Sequence, residues 1–169
     1  MRSKIVLAFL LATALPTSAH VTLVEPQAQT GGNFVAQFRI GHGCAGSPTT
    51  ALTITLPESV VSAKPKAKAG WTISMTHAPL AKPLAGEGGR AITERVSSIT
   101  WSGGSLANDQ FDDFAVLLRL PDTAGPLSFA ALQTCEKDSE NWAEVPDGSG
   151  RKLTHPAPVL TVTPKGVAP

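Results

Sequence analysis

The sequence predicts an all-β protein folded as an antiparallel β-sandwich, and three observations lead to this prediction. Apolar and polar residues alternate with a period of two in many short segments. The 14 prolines and 15 glycines divide the 169 residues into pieces too short for a helical bundle or a doubly wound α/β fold. No segment offers three turns of helical periodicity. Many short strands separated by turn residues are typical of a sandwich.

Nine segments carry this alternation and are predicted to be strands. In Leu52–Leu56, for example, aliphatic residues alternate with threonine. Turn residues such as Gly31-Gly32 and Asp147-Gly148 separate one segment from the next. The stretch Pro79–Gly89 is predicted to be a loop. In chain order, the predicted strands are Val21–Val24, Phe34–Phe38, Leu52–Leu56, Trp71–Thr76, Val96–Trp101, Phe114–Leu120, Leu127–Leu132, Trp142–Val145 and Val159–Thr163.

The first 19 residues have the organisation of a secretory signal peptide. Arg2 and Lys4 precede an apolar stretch from Ile5 to Leu15, and small residues end the segment at Ala19. The apolar stretch is too short to span a membrane, and no second run of membrane length follows. We therefore expect cleavage after Ala19, a mature chain that begins with His20, and export to the periplasm. The alternative is a buried N-terminal helix.

Residues 20–164 are predicted to form one domain, with a flexible tail at residues 165–169. A chain of this length suits a single domain and buries a core without needing a metal to fold. The net charge is +1 and the basic residues form no run, which argues against a nucleic-acid-binding surface. Neither a nucleophile elbow nor a phosphate loop, CxxC or HExxH pattern occurs, so the sequence does not predict an enzyme of those classes.

The two cysteines, Cys44 and Cys135, favour a disulfide because the predicted export places them in an oxidising compartment. The bond would close a loop between residues 91 positions apart in the sequence. In the loop-closure model this removes on the order of 4–5 kcal/mol of unfolded-chain entropy. The alternative is that one cysteine is a thiolate ligand for copper, which leaves the other as an odd thiol.

A mature chain that begins with His20 offers two nitrogen donors from one residue. The α-amine and the imidazole Nδ1 can close a six-membered chelate ring on a single metal ion. Nitrogen-rich tetragonal sites favour Cu(II) over the other first-row divalent ions. The free α-amine titrates near pH ~8, so copper displaces only a weakly held proton at neutral pH. The alternative is that His20 is simply the residue left by cleavage.

Further motifs follow His20 along the chain, and together they form a recognisable series. This series resembles the YcnI-like family of exported copper-binding domains, in its Gram-negative form, over about residues 20–164. The motifs that carry the resemblance are His20-Val21-Thr22, His42-Gly43-Cys44 with the following Ala45–Thr50, Lys64-Pro65, Gly70-Trp71, Trp101-Ser102-Gly103-Gly104, Phe111-Asp112-Asp113-Phe114, Gln133-Thr134-Cys135 and Trp142.

The resemblance implies a cupredoxin-like or immunoglobulin-like sandwich that binds one Cu(II) ion through a mono-histidine brace. In this family pattern His20 is the brace, Trp142 is the neighbouring tryptophan, and the carboxylate falls on Asp113. The family usually has Glu at that position, and the shorter Asp side chain leaves room for a bridging water. The implied function is copper homeostasis in the periplasm, as a metallochaperone or buffer without enzymatic activity. Its partners would be the copper ion and another periplasmic or membrane copper protein.

Several residues keep a second interpretation. Asp112 is the alternative carboxylate, because adjacent side chains on a strand face opposite ways. An indole nitrogen is a hydrogen-bond donor, so Trp142 is expected to wall the site with its π face or to be a core residue. His42 could add a second imidazole or could order the turn beside the disulfide, and the mono-histidine site does not need it. His77 and His155 are assigned no role.

Three other functions compete with copper carriage as interpretations of this sequence. A polysaccharide-cleaving copper enzyme also begins with a metal-binding histidine but typically adds a second histidine and often a tyrosine. This chain contains no tyrosine, and His42 is the only plausible second histidine. A blue-copper electron carrier needs a thiolate, which the predicted disulfide removes. A metal-free sandwich used for adhesion or assembly remains the third alternative.

Overall fold

The computed structural model describes residues 20–166, which contain twelve β-strands and a 3-10 turn at Glu87–Gly89. The predicted signal peptide and residues 167–169 of the predicted tail lie outside the described residues. No helix in the described part of the chain has the length and apolar character needed to cross a membrane. In chain order the strands are β1 (Thr22–Leu23), β2 (Gln27–Gln29), β3 (Asn33–Ile40), β4 (Thr49–Thr55), β5 (Ser62–Pro65), β6 (Thr72–Ala85), β7 (Ala91–Leu106), β8 (Asp112–Arg119), β9 (Gly125–Ser128), β10 (Ala130–Cys135), β11 (Ser139–Trp142) and β12 (Val159–Thr163).

The strands form three sheets, and the prediction of an all-β sandwich is confirmed. One sheet has the strand order β1-β3-β8-β5, and a second has the order β11-β10-β4-β7-β6. The third sheet joins β2, β12 and β9. Every pairing is antiparallel except that of β12 with β2.

The core lies between the four-stranded and five-stranded sheets, and large side chains from both sheets fill it. Successive side chains on a strand point to opposite faces, so every second residue enters the core. Phe38 and Phe114 come from the first sheet, and Trp101 comes from the second; all three are fully buried. The rings of Trp101 and Phe114 meet edge to face at 5.5 Å, and Phe38 meets Phe129 in the same way at 5.3 Å. Such aromatic pairs stabilise the core beyond the area they bury.

The register of the first sheet places the predicted site residues relative to one another. Thr22 on β1 lies opposite Arg39 on β3, and Arg39 lies opposite Asp113 on β8. The pairing of β1 with β3 ends at Thr22 and Arg39, and beyond it the side chains of Val21 and Ile40 are both buried. His20, the first described residue, precedes β1 at the end of the sheet where β3 leads into the β3–β4 connection.

The prediction that Pro79–Gly89 forms a loop is wrong for most of that stretch. Strand β6 continues to Ala85 and pairs with β7 in a long hairpin. Proline is tolerated because β6 is an edge strand, so its missing N–H deprives no neighbouring strand of a hydrogen bond. The pairing register shifts between Pro79 and Leu84, where Pro83 also lies. The two prolines led to the prediction of a loop, because proline is not expected in a central strand. They are compatible with β6 because it lies at the edge of its sheet.

The predicted bounds of the other strands differ from the structure mostly by a few residues, but two predicted segments are misplaced more seriously. The segment Leu127–Leu132 is divided at Phe129 between β9 and β10, which belong to different sheets. The segment Trp142–Val145 was predicted to be a strand, but the observed strand β11 ends at Trp142 instead of starting there. Short strands β2 and β5 were not predicted, because neither carries enough alternating residues to show a period of two.

Candidate metal site

Two of the three predicted site residues, His20 and Trp142, are in contact. The centroids of their rings are 5.3 Å apart, with an angle of 47° between the ring planes. His20 is half-buried just before β1, and Trp142 is 2% exposed at the end of β11. The start of the first sheet and the edge of the second therefore meet at this point.

A buried glutamine fixes the indole of Trp142. The indole Nε1 donates a hydrogen bond to Gln133 Oε1 at 3.3 Å. The Nε2 amide of Gln133 donates to the backbone oxygen of His42 and to Thr49 Oγ1, both at 2.8 Å. Gln133 is 1% exposed, so these partners satisfy its amide in a buried position. Because the indole N–H is already used, Trp142 can offer a metal ion only its ring surface.

No role was predicted for Gln133, although its position in the sequence indicates a buried amide. Gln133 alternates with Ala131 and Cys135 on the face of β10 that points into the core. A lone amide among apolar residues must find hydrogen-bond partners there, because an unpaired buried polar group is costly.

His155 is a second imidazole on the same indole, and the sequence analysis did not find it. Its ring centroid lies 5.0 Å from that of Trp142, and its Nε2 atom lies 2.8 Å from Glu140 Oε2. His155 stands in a proline-rich connection between β11 and β12, where no periodicity indicates which way a side chain points. Only the fold reveals this contact.

Glu144 holds the connection that carries His155. Its carboxylate accepts hydrogen bonds from the backbone N–H groups of Thr154 at 2.6 Å and His155 at 2.7 Å, and from Arg151 at 2.9 Å. The backbone hydrogen bond from His155, followed by that from Arg151, lowers the pKa of Glu144 from 4.5 to about 2. These bonds favour the charged carboxylate and tie the chain on both sides of the loop together.

The third predicted residue, Asp113, is engaged by another side chain. Both of its carboxylate oxygens accept hydrogen bonds from Arg39, at 2.8 Å each. Arg39 lies between Asp113 and the start of β1, because it is opposite Asp113 on one side and opposite Thr22, two residues after His20, on the other. A metal ion at His20 would reach this carboxylate only if Arg39 released it. The role of Asp113 as a ligand stays a prediction, and this geometry weakens it.

The alternative carboxylate, Asp112, is also engaged elsewhere. Its Oδ2 atom lies 2.6 Å from Lys68 Nζ. Asp112, Asp113 and Lys68 line one cavity of about 350 Å³. His20 lines a different cavity of about 230 Å³, together with Pro26 and residues 156–159.

His42 lies in the β3–β4 connection and has one unpaired ring nitrogen. Its Nδ1 atom is 2.7 Å from the Gly43 oxygen, which can only accept, so Nδ1 carries the proton. Its Nε2 atom is buried and has no hydrogen-bond partner within residues 20–166. The tautomer that this hydrogen bond selects has its lone pair on Nε2.

The predicted disulfide between Cys44 and Cys135 is confirmed. Their Cα atoms are 5.9 Å apart, and the backbone N–H of Cys44 donates to the Cys135 sulfur at 2.9 Å. Neither cysteine can then supply the thiolate of a blue-copper site. The bond links the His42 connection to β10, two residues beyond the glutamine that holds Trp142.

The described residues contain no group of three His, Cys, Asp or Glu side chains spaced to hold a metal ion.

Comparison with known proteins assigns the chain to a family. Residues 20–162 match the model of the domain of unknown function DUF1775. The chain belongs to the DUF1775 family. Among solved structures, it is similar to an uncharacterised protein from Nocardia farcinica with an immunoglobulin-like fold, at 31% identity and a TM-score of 0.64. That match covers 85% of this chain and 97% of the Nocardia protein.

This similarity confirms the prediction of an immunoglobulin-like sandwich for this chain. A type I cohesin from Pseudobacteroides cellulosolvens matches more weakly, at 13% identity and a TM-score of 0.40 over 89% of this chain and 94% of the cohesin. No curated protein matches the sequence.

Proposed function

We propose that this DUF1775 protein is an exported Cu(II)-binding protein of the YcnI-like kind, which buffers copper in the periplasm or passes it to a partner. The observation that carries the proposal is the contact between His20 and the indole of Trp142. Signal cleavage after Ala19 would add a primary amine to the imidazole at this position. One residue then supplies two nitrogen donors, which compensates for the lack of a cluster of three His, Cys, Asp or Glu side chains within residues 20–166.

Each residue has a separate task in this proposal. His20 binds copper through its α-amine and Nδ1, a donor pair that suits Cu(II). Trp142 presents its ring to the cation and excludes water from one side of it. Gln133 holds that ring by accepting its N–H. Copper is cargo here, and the protein performs no reaction on it.

The half-exposed position of His20 suits transfer of the ion. The cavity lined by His20, Pro26 and residues 156–159 is shallow and bounded by apolar groups and backbone. A partner can approach the ion from this side without unfolding the domain. We propose a periplasmic or membrane copper protein as that partner.

The test compares two forms that differ only at the N-terminus. One begins with His20, as verified by mass spectrometry, and the other carries one additional alanine before it. The extended form keeps the imidazole but displaces the primary amine. We expect its Cu(II) affinity, measured by chelator competition, to be at least ~100-fold lower, since loss of outer-sphere partners alone costs ~10–100-fold.

Tryptophan fluorescence provides an independent readout. Bound Cu(II) at His20 should quench Trp142, whose ring is 5.3 Å from the imidazole. Trp142→Phe should remove the quenched component while Trp71 and Trp101 continue to emit. Equal affinity of the two N-terminal forms, or quenching that survives Trp142→Phe, would contradict the proposal.

A further inference from the structure

His42 lies at the same end of the first sheet as His20, although 22 positions separate them in the sequence. The pairing of β1 with β3 ends at Thr22 and Arg39, so His20 precedes that pair by two residues and His42 follows it by three. Gln133 links the surroundings of the two histidines: it binds the backbone oxygen of His42 and the indole of Trp142, whose ring lies 5.3 Å from that of His20.

The ring of His42 is prepared to bind a Lewis acid. The hydrogen bond from Nδ1 to the Gly43 oxygen leaves the lone pair on Nε2. A neutral imidazole nitrogen of this kind is the commonest protein metal ligand. Metal-binding histidines typically donate their other ring N–H to a carbonyl or carboxylate, as His42 does here.

His42 Nε2 is a buried polar atom without a hydrogen-bond partner among the described residues, which is unusual in a folded protein. Nearly all buried side-chain polar atoms have a hydrogen-bond partner, because an unpaired one loses its contacts with water and gains nothing in return. None of the residues from 20 to 166 supplies that partner for Nε2. A bound cation would satisfy the lone pair.

The connection that carries His42 is rigid, so the ring is positioned in advance. A side chain at Gly43 would overlap the Ser47 backbone oxygen, which shows how tightly the turn closes. The neighbouring Cys44 is tied to β10 by the disulfide. Gln133 binds both the His42 carbonyl and the Trp142 indole, so one side chain sets both positions.

We propose that His42 Nε2 is a further nitrogen ligand of the copper ion held by His20, which makes the site a two-imidazole site. The inference rests on the proposed function, because it needs copper at His20. Copper would give the unpaired Nε2 atom of His42 a partner. Gln133 binds both the His42 backbone and the Trp142 indole, so it would hold the second ligand in place relative to the Trp142 ring.

Pulsed paramagnetic resonance on the mature wild-type protein with one equivalent of Cu(II) tests the inference without any substitution. The remote nitrogen of each coordinated imidazole modulates the electron spin echo, and combination lines appear only when two imidazoles are bound. We expect combination lines in the wild type. A spectrum from one imidazole overturns the inference and leaves the proposed function standing, provided that the alanine extension still abolishes tight binding.

Two variants identify the second imidazole. His42→Phe should give a one-imidazole spectrum and at least ~10-fold weaker Cu(II) binding. His77→Phe is the matched control on exposed strand β6 and should change neither quantity. Thermal unfolding of each variant checks that it is folded.

If combination lines persist in His42→Phe and disappear in His155→Phe, the second ligand is His155 and the inference is wrong. If the wild type binds no copper tightly at all, the proposed function itself fails. The two failures are therefore distinguishable.

Discussion

Reduction of the disulfide between Cys44 and Cys135 should remove a large part of the stability of the domain. The bond closes a loop between residues 91 positions apart. The chain-entropy model gives about 4.6 kcal/mol for a loop of this length at 25 °C. For a domain of this size, such a loss corresponds to a fall in Tm of roughly 10–18 °C. The physical reason is that the reduced unfolded chain gains conformational freedom, whereas the native contacts change little.

Urea unfolding of the copper-free protein, with and without a reductant, measures this effect on one and the same sequence. The m-value should rise on reduction, because a chain without the crosslink expands further and exposes more surface. The double variant Cys44→Ala/Cys135→Ala is the control and should match the reduced protein to within about 1 kcal/mol. A loss below ~1 kcal/mol in both experiments would refute the loop-entropy argument.

Three further predictions concern single side chains. Gly104→Ala should destabilise the fold by about 1–3 kcal/mol, because a Cβ there overlaps the Trp71 indole; Gly41→Ala, which meets no neighbour, should be near neutral in the same urea assay. Glu144→Gln should destabilise the copper-free protein most above about pH 4.5, and the difference should vanish as the pH falls towards 2, since the folded-state pKa of Glu144 is about 2. A difference independent of pH would contradict that origin. Asp113→Asn should weaken Cu(II) binding by no more than about twofold, or ~0.5 kcal/mol, in chelator competition, because Arg39 already holds both carboxylate oxygens; a tenfold loss would mean that Asp113 reaches the ion.

The fold class was predictable from the sequence because burial in a sandwich leaves a local trace. Strand β4 shows it well, with Leu52 and Ile54 fully buried between half-exposed and exposed threonines. The part of β6 that follows the predicted segment Trp71–Thr76 leaves no such trace, since most of its residues are exposed on both faces. Its existence depends on pairing with β7 along one edge, which involves backbone groups that every residue possesses. Periodicity detects strands that bury one face, and it fails for a hairpin that extends beyond the core.

The site was predictable only in part, for a related physical reason. The pattern of motifs pointed to His20 and Trp142, and the structure brings these two into contact. Whether a carboxylate is available depends on what else lies beside it. Arg39 is opposite Asp113 only because β3 and β8 pair in one particular register. If β3 and β8 were paired two residues out of this register, Asp113 would lie opposite a different residue. The sequence around Asp113 does not indicate which register the two strands adopt.

The same dependence on register explains why His42 deserves a test although the mono-histidine pattern does not require it. Its place at the same end of the sheet as His20 follows from the pairing of β1 with β3, and its Nε2 lone pair follows from a hydrogen bond to the next residue. Neither fact is visible in the sequence, where His42 is one of four histidines. A ligand set derived from one residue per motif would miss a donor that the fold brings to the site. Counting the coordinated imidazoles in the wild-type protein is the measurement that decides between one donor residue and two.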